Sequence, residues 1–154
     1  MRELNEKAPG TFQHSMQVAN LAEAAANEIG ANSMLVRTGA LYHDIGKLLN
    51  PMYFIENQST GVNPHNDLSP SDSAKIIIDH VIKGVELAKQ YGLPDRIIDF
   101  IRTHHGTSLV YYFYVKEQDQ NPDEEVNEEK FKYKGPVPFS KETAILMICD
   151  AAEA

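Results

Sequence analysis

Residues Leu35–Pro51, LVRTGALYHDIGKLLNP, put a histidine and an aspartate side by side, His43-Asp44, inside an apolar helical stretch. An Asn32 or Ser33 cap predicts a helix that runs past both residues to about Leu48, where Pro51 ends it. Adjacent helical residues point about 100 degrees apart, so the two side chains can serve one centre only if an ion lies between them. A carboxylate at that place is able to bridge two ions, and buried without a cation it would be costly.

The other histidines fall on similar faces. Thr11 reads as the N-cap of a helix to about Ile29 in which His14, Val18, Leu21, Ala25 and Ile29 share one stripe. A third helix carries Ser73, Ile76, Ile77, His80, Val81, Gly84, Val85, Ala88 and Tyr91 on its apolar side and is closed by Gly92. A fourth starts at Pro94, presents Ile97, Ile98 and Ile101, and ends in His104, His105 and Gly106. The run LVYYFY, Leu109–Tyr114, suits a helical face better than a strand. Ser140 caps a last helix in which Thr143, Leu146, Met147, Asp150 and Ala151 face one way. Between these segments, FIENQSTGVNPHNDLSPSD (54–72) reads as loop, and EQDQNPDEEVNEEKFKYK (117–134) reads as an acidic solvated loop or insert. The expectation is an all-α, compact multi-helix fold, one domain over 1–154 without repeats or an internal linker. The final pattern stops at CDAAEA with no glycine or proline after it, as expected of a domain excised from a larger protein.

Composition bounds the function. Lys and Arg number 14 against 22 Asp and Glu, a formal net charge of −8, which argues against a broad basic face for a nucleic-acid duplex. A small anion is still admissible where metal ions supply local positive charge. The single cysteine, Cys149, lies in the apolar run AILMIC and reads as core filler; no disulfide can form within the chain, in keeping with a reducing compartment. No apolar run approaches the roughly 18 residues of a membrane span, so the stretch itself is expected to be soluble.

The inward-facing polar set is His14, His43, Asp44, His80, His104, His105 and Asp150. Any one of these histidines could be a core residue bonded to a carbonyl. Five of them with two aspartates would each need a separate partner, whereas divalent ions satisfy all at once. Seven ligands shared between two ions, with one carboxylate common to both, leave positions for water and substrate, the layout of a two-metal hydrolase. His65, in the polar loop NPHND, lies on no apolar face and reads as either a surface histidine or a substrate contact.

The ordered set, with YHDIGK at its centre, resembles the metal pattern of the HD phosphohydrolase superfamily, an all-helical fold. The stretches TFQHSMQVANLAEAAA, GALYHDIGKLLNPMYFIENQ, NPHNDLSPSDSAKIIIDHVIKGVELAK and HHGTSLVYYFY further resemble the cytoplasmic HD domain of the seven-transmembrane HD receptor family, over most of the chain. The resemblance implies a cytoplasmic domain of an inner or plasma membrane protein that opens the second messenger cyclic di-AMP to pApA. It implies His14, His43 and Asp150 on one ion, His80, His104 and His105 on the other, and Asp44 across both. It favours iron or manganese. HD-GYP enzymes are set aside because HHG is followed here by TSLVYY, and Asn66 stands where the family would lead one to expect aspartate.

The mechanism expected is two-metal-activated water attack in line on the phosphodiester. Lys47, one turn past His43-Asp44, is placed to add positive charge at the phosphate or leaving oxygen. Asn57, Gln58, His65 and Tyr112 are candidate substrate contacts, with Tyr53, Phe54, Tyr111 and Tyr114 as further aromatic candidates for a base, since stacking and amide hydrogen bonds hold bases. Alternatives are an HD nucleotidase or nucleoside triphosphohydrolase, a di-iron oxygenase, and a sensory module that binds nucleotide without turnover. A homodimer is compatible with each.

Overall fold

A computed structural model describes all residues, 1–154. It is all-helical, with a single isolated bridge between Leu109 and Lys132 as its only β pairing. The helices are α1 (Arg2–Lys7), α2 (Pro9–Ile29), α3 (Ser33–Tyr42), α4 (Pro70–Gln90), α5 (Asp95–Thr103), α6 (Tyr111–Gln120) and α7 (Lys141–Glu153). No helix is long and apolar enough to cross a membrane.

Small side chains let α2 lie close to its neighbours. Val18, Ala19, Ala22 and Ala26 are fully buried against Val36 and Ala40 of α3, Phe100 of α5, and Ile145, Leu146 and Cys149 of α7. Each large apolar side chain buried there is worth about 1.5–3 kcal/mol. A second cluster joins Leu4, Ala8, Ile45, Ala88, Ile98 and Ile101, so α1 is packed rather than loose. α1 carries no apolar period in the sequence, because its polar run RELNEK buries only Leu4.

Helix starts differ from expectation where a distant residue does the capping. Pro9 opens α2, and Thr11 is buried within its first turn instead of capping it. The free Thr11 N–H donates to the Asn57 side chain at 3.0 Å. Asn32 caps α3 as expected, accepting from the Leu35 N–H at 3.1 Å. Ser69 caps α4, which starts at Pro70, three residues before the apolar pattern begins at Ser73. Ser140 and Thr143 form a reciprocal capping box at α7.

The expected loop 54–72 is not plain loop, since it holds two 3-10 turns and the start of α4 at Pro70, and the chain before it is turned as well. Four short 3-10 turns, Ile45–Leu49, Pro51–Tyr53, Ile55–Asn57 and Pro64–Asp67, fold residues 45–67 back on α2 and α4. Nor is 117–134 solvated throughout: α6 continues through Gln120, and Phe131 and Tyr133 are buried. Between those anchors residues 118–120, 122–125 and 127–130 are exposed, as the acidic composition suggested.

Candidate metal centre

α3 ends at Tyr42, before the HD pair. His43 keeps helical dihedrals, φ −59 and ψ −32, while Asp44 leaves the helix at φ −107 and ψ 18. The expected helix to Leu48 is therefore cut into a helix and a 3-10 turn. The physical reason is close approach: a Cβ on Gly46 would lie 1.7 Å from the His80 carbonyl oxygen, so the chain after Asp44 runs directly against α4. That contact brings the HD turn and His80 together.

Three imidazoles are oriented in the same way. His43 Nδ1–H donates to the Ala40 carbonyl at 2.5 Å, His104 Nδ1–H to Ile101 at 2.7 Å, and His80 Nδ1–H to Ile77. His43 and His104 sit at helix C-termini, where carbonyls lack an intrahelical partner, so each ring caps the helix that carries it. A proton fixed on Nδ1 leaves the Nε2 lone pair free to bind a cation.

Those lone pairs converge. His80 and His104 Nε2 lie 3.3 Å apart, and both face Asp44 Oδ1, at 3.3 and 3.2 Å. The other carboxylate oxygen, Asp44 Oδ2, faces His43 Nε2 at 3.3 Å and the Lys47 ammonium at 3.1 Å. Asp150 Oδ1 lies 2.6 Å from His14 Nε2 and 3.2 Å from His43 Nε2. Ligand atoms thus form two groups, Asp44 with His80, His104 and His105, and Asp44 with His14, His43 and Asp150, the atoms of each group all within 4.8 Å of one another. Asp44 belongs to both.

The donor set fits divalent metal. Asp44 Oδ1 is buried with no hydrogen-bond donor, and the nitrogens around it offer lone pairs. Acceptors facing acceptors in a buried site require a cation. Imidazole with carboxylate suits iron, manganese or zinc better than magnesium or calcium.

Charges in the metal-free chain respond accordingly. Burial alone would depress His43, but Asp44 and Asp150 outweigh it and raise it to about 10. Burial would raise both aspartates; His43 and Lys47 hold Asp44, and His14 and His43 hold Asp150, well below the ordinary carboxylate range. Burial, helped by His104 and His80, pushes His105 down to about 2, which keeps it neutral.

A cavity of about 440 Å³ opens over the centre, lined by His14, Asp44, Lys47, Glu56, His105 and Asp150 among others. Lys47 is at this wall, nearly buried, and its ammonium is also bonded to Glu56 at 2.7 Å. Glu56 was missed in the sequence, where nothing marks an acidic residue nine positions past Lys47 as folding back. It accepts from the Thr11 hydroxyl as well, at 3.0 Å.

The remaining candidates are not at the cavity. Asn57 is buried and committed to Thr11 and the Pro51 carbonyl. Gln58 donates to the Met52 carbonyl and Asn63. His65 is buried, not a surface histidine: its ring donates to the Tyr53 carbonyl at 2.7 Å and packs on Tyr53 and Phe113. Tyr112 is exposed in a separate shallow groove with Tyr111, Val115, Lys116 and Asp119. Phe54 packs edge-on against His80, Tyr53 against His65 and Tyr114 against Phe131, each a packing role.

The HD domain family model matches residues 11–154. The cyclic-di-AMP phosphodiesterase PgpH of Listeria monocytogenes is 53% identical over the whole chain, and that of Bacillus subtilis 46%. The chain spans about a fifth (21%) of the length of these curated relatives. The crystal structure of the L. monocytogenes PgpH HD domain in complex with cyclic-di-AMP superposes with a TM-score of 0.94 at 53% identity, over 99% of this chain and 70% of that one.

Proposed function

This chain belongs to the HD domain family, alongside the PgpH HD domains, and on that premise we propose that it hydrolyses cyclic di-AMP to pApA at a centre of two divalent ions. The observation that carries the reading is the convergence of five imidazoles and the carboxylates of Asp44 and Asp150 beneath an open cavity. His14, His43 and Asp150 would hold one ion, His80, His104 and His105 the other, and Asp44 both. Iron or manganese is the expected occupant.

Ions bound there would supply acidification of a water and stabilisation of the leaving 3'-oxygen. The chain's own residues do the rest. Two divalent ions bring four positive charges, Asp44 and Asp150 remove two, and Lys47 and Glu56 cancel. A net charge near +2 then draws a phosphodiester into an otherwise acidic protein. Lys47 spends two ammonium protons on Asp44 and Glu56 and keeps a third to donate to a phosphate oxygen. His43 and His104 are buried beneath the cavity and keep water from that floor of the centre. In the cell, the chain would act as the cytoplasmic domain of a larger membrane protein.

The test is a panel of cyclic dinucleotides incubated with Mn(II)- or Fe(II)-reconstituted chain and the products separated. Formation of pApA from cyclic di-AMP is expected. Clear preference for cyclic di-GMP would overturn the substrate, and tight cyclic di-AMP binding without any product would favour a sensory module.

A further inference from the structure

Of the four histidines assigned to hydrogen-bonded orientation or to a carboxylate partner, each has its ring fixed by a polar contact: His43, His80 and His104 through Nδ1 to a carbonyl, and His14 through Nε2 to Asp150. His105 has no such contact, yet its ligand atom lies with those of Asp44, His80 and His104. What lies against it is Tyr133. The two rings are stacked, centroids 4.2 Å apart and planes 14° from parallel, while His104 and His80 meet His105 at steep angles of 47° and 86°.

Tyr133 reaches this place because the segment after the acidic stretch is tied back to the loop that follows His105. Gly106, at φ +54, turns the chain out of α5's end, a backbone that glycine adopts without strain. The chain that follows then pairs with 131–133: Val110 N–H donates to the Phe131 carbonyl at 2.7 Å and Tyr133 N–H to the Ser108 carbonyl at 2.9 Å. Phe131, almost wholly buried with Ala74 and Phe113, anchors the segment in the core. The tyrosine ring is thereby buried against His105, although an exposed polar stretch lies just before it.

We propose that Tyr133 is the positioning residue of His105, its stacked ring doing for that imidazole what a backbone carbonyl does for His43, His80 and His104. The inference rests on the reading that His105 ligates the second ion. It gives the 117–134 segment a role in the metal centre: the insert carries the ring that aims one ligand. Partners that orient a ligating histidine typically change metal affinity about 10- to 100-fold when lost. The flat face matters here, and the phenol hydroxyl does not.

The experiment is a Mn(II) titration of metal-free chain, reading the two stepwise binding constants, for the unaltered protein, Tyr133→Phe and Tyr133→Leu. Leucine fills similar space without a planar face. Expected are two ions with unchanged constants in Tyr133→Phe. In Tyr133→Leu, one ion binds normally and the other about 10- to 100-fold more weakly, with metal-free melting temperature and helical signal unaltered. Should Tyr133→Leu not fold, Tyr133→Met gives the same comparison. Equal binding by the phenylalanine and leucine variants overturns the proposal, as does a matched fall in both constants with a lowered metal-free melting temperature. If the unaltered chain binds fewer than two ions, the two-ion reading fails with it, a result visible before any variant is made.

Discussion

The Nε2 atoms of His80 and His104 face one another at 3.3 Å, each with its proton committed to a carbonyl on the far side of the ring. Two lone pairs directed at each other in a buried site repel, and Asp44 Oδ1 beside them adds a third acceptor. The fold holds this arrangement through packing elsewhere, and a cation relieves it. Stability, pH response and metal affinity are therefore linked in this chain.

The pH dependence follows with a definite sign. In the metal-free chain His43 is raised from 6.5 to about 10, so its contribution is full below pH 6.5 and fades as pH rises towards 10. His105 is depressed from 6.5 to about 2, so its contribution is present above pH 6.5 and fades as pH falls. The lowered pKa values of Asp44 and Asp150 add to the loss on the acid side, below the ordinary carboxylate value of 3.8. The melting temperature of metal-free chain should peak near pH 6.5. Metal replaces the proton on His43, so the alkaline decline should vanish in the loaded protein. Melting curves from pH 4 to 10 with and without Mn(II) check this; a metal-free limb that stays flat from 7 to 10 would contradict it.

Gly46→Ala should damage stability and metal binding together. The added Cβ would meet the His80 carbonyl at 1.7 Å and the Gly84 nitrogen at 2.7 Å, both backbone atoms that cannot turn aside. Overpacking of this kind costs about 1–3 kcal/mol, and at such short backbone distances the upper end is expected. Because α4 must move, His80 moves with it. Denaturant titration and Mn(II) affinity measured on the same variant should fall in concert.

Lys47→Met should destabilise the metal-free chain by about 3–5 kcal/mol, the usual cost of removing one partner from a buried ion pair. Its ammonium lies between Asp44 and Glu56 with a side chain only 12% exposed. The loaded protein should lose less, since ions still compensate Asp44. Comparing unfolding free energies of the two forms tests this, and an equal loss in both would show that Lys47 stabilises the fold independently of the centre.

Asn57→Ala separates packing from recognition. The amide joins the first turn of α2 to the 3-10 turn Ile55–Asn57, through Thr11 at 3.0 and 2.8 Å and Pro51 at 3.2 Å. Leaving those groups unpaired should cost about 1–3 kcal/mol of stability, while KM for cyclic di-AMP stays at the value of the unaltered chain. A raised KM without loss of stability would return Asn57 to the substrate contacts.

What could be read in the sequence was whatever follows from helical period. His14, His80 and Asp150 lie on apolar stripes, and the structure brings them to one place with His43, Asp44, His104 and His105. What could not be read depends on chain segments meeting at a distance. His65 looked exposed because NPHND is polar, but the 3-10 turn Pro64–Asp67 folds its ring onto Tyr53 and Phe113. Glu56 and Tyr133 carry no local signal, since one reaches Lys47 only through a fold-back and the other reaches His105 only through the Leu109–Lys132 bridge. The HD helix ends at Tyr42, short of the periodic pattern, because Gly46 must pass under α4, which period alone does not reveal.

The central claim is that Asp44 joins two ions in one centre. Elemental analysis of Mn(II)-reconstituted chain after removal of free metal, set beside Asp44→Ala prepared identically, tests it most directly. Two ions per chain are expected in the unaltered protein, and at most one in Asp44→Ala, with cyclic di-AMP cleavage lowered by more than the roughly 100-fold typical of losing an outer partner. Two ions retained by Asp44→Ala, with cleavage intact, would contradict the account.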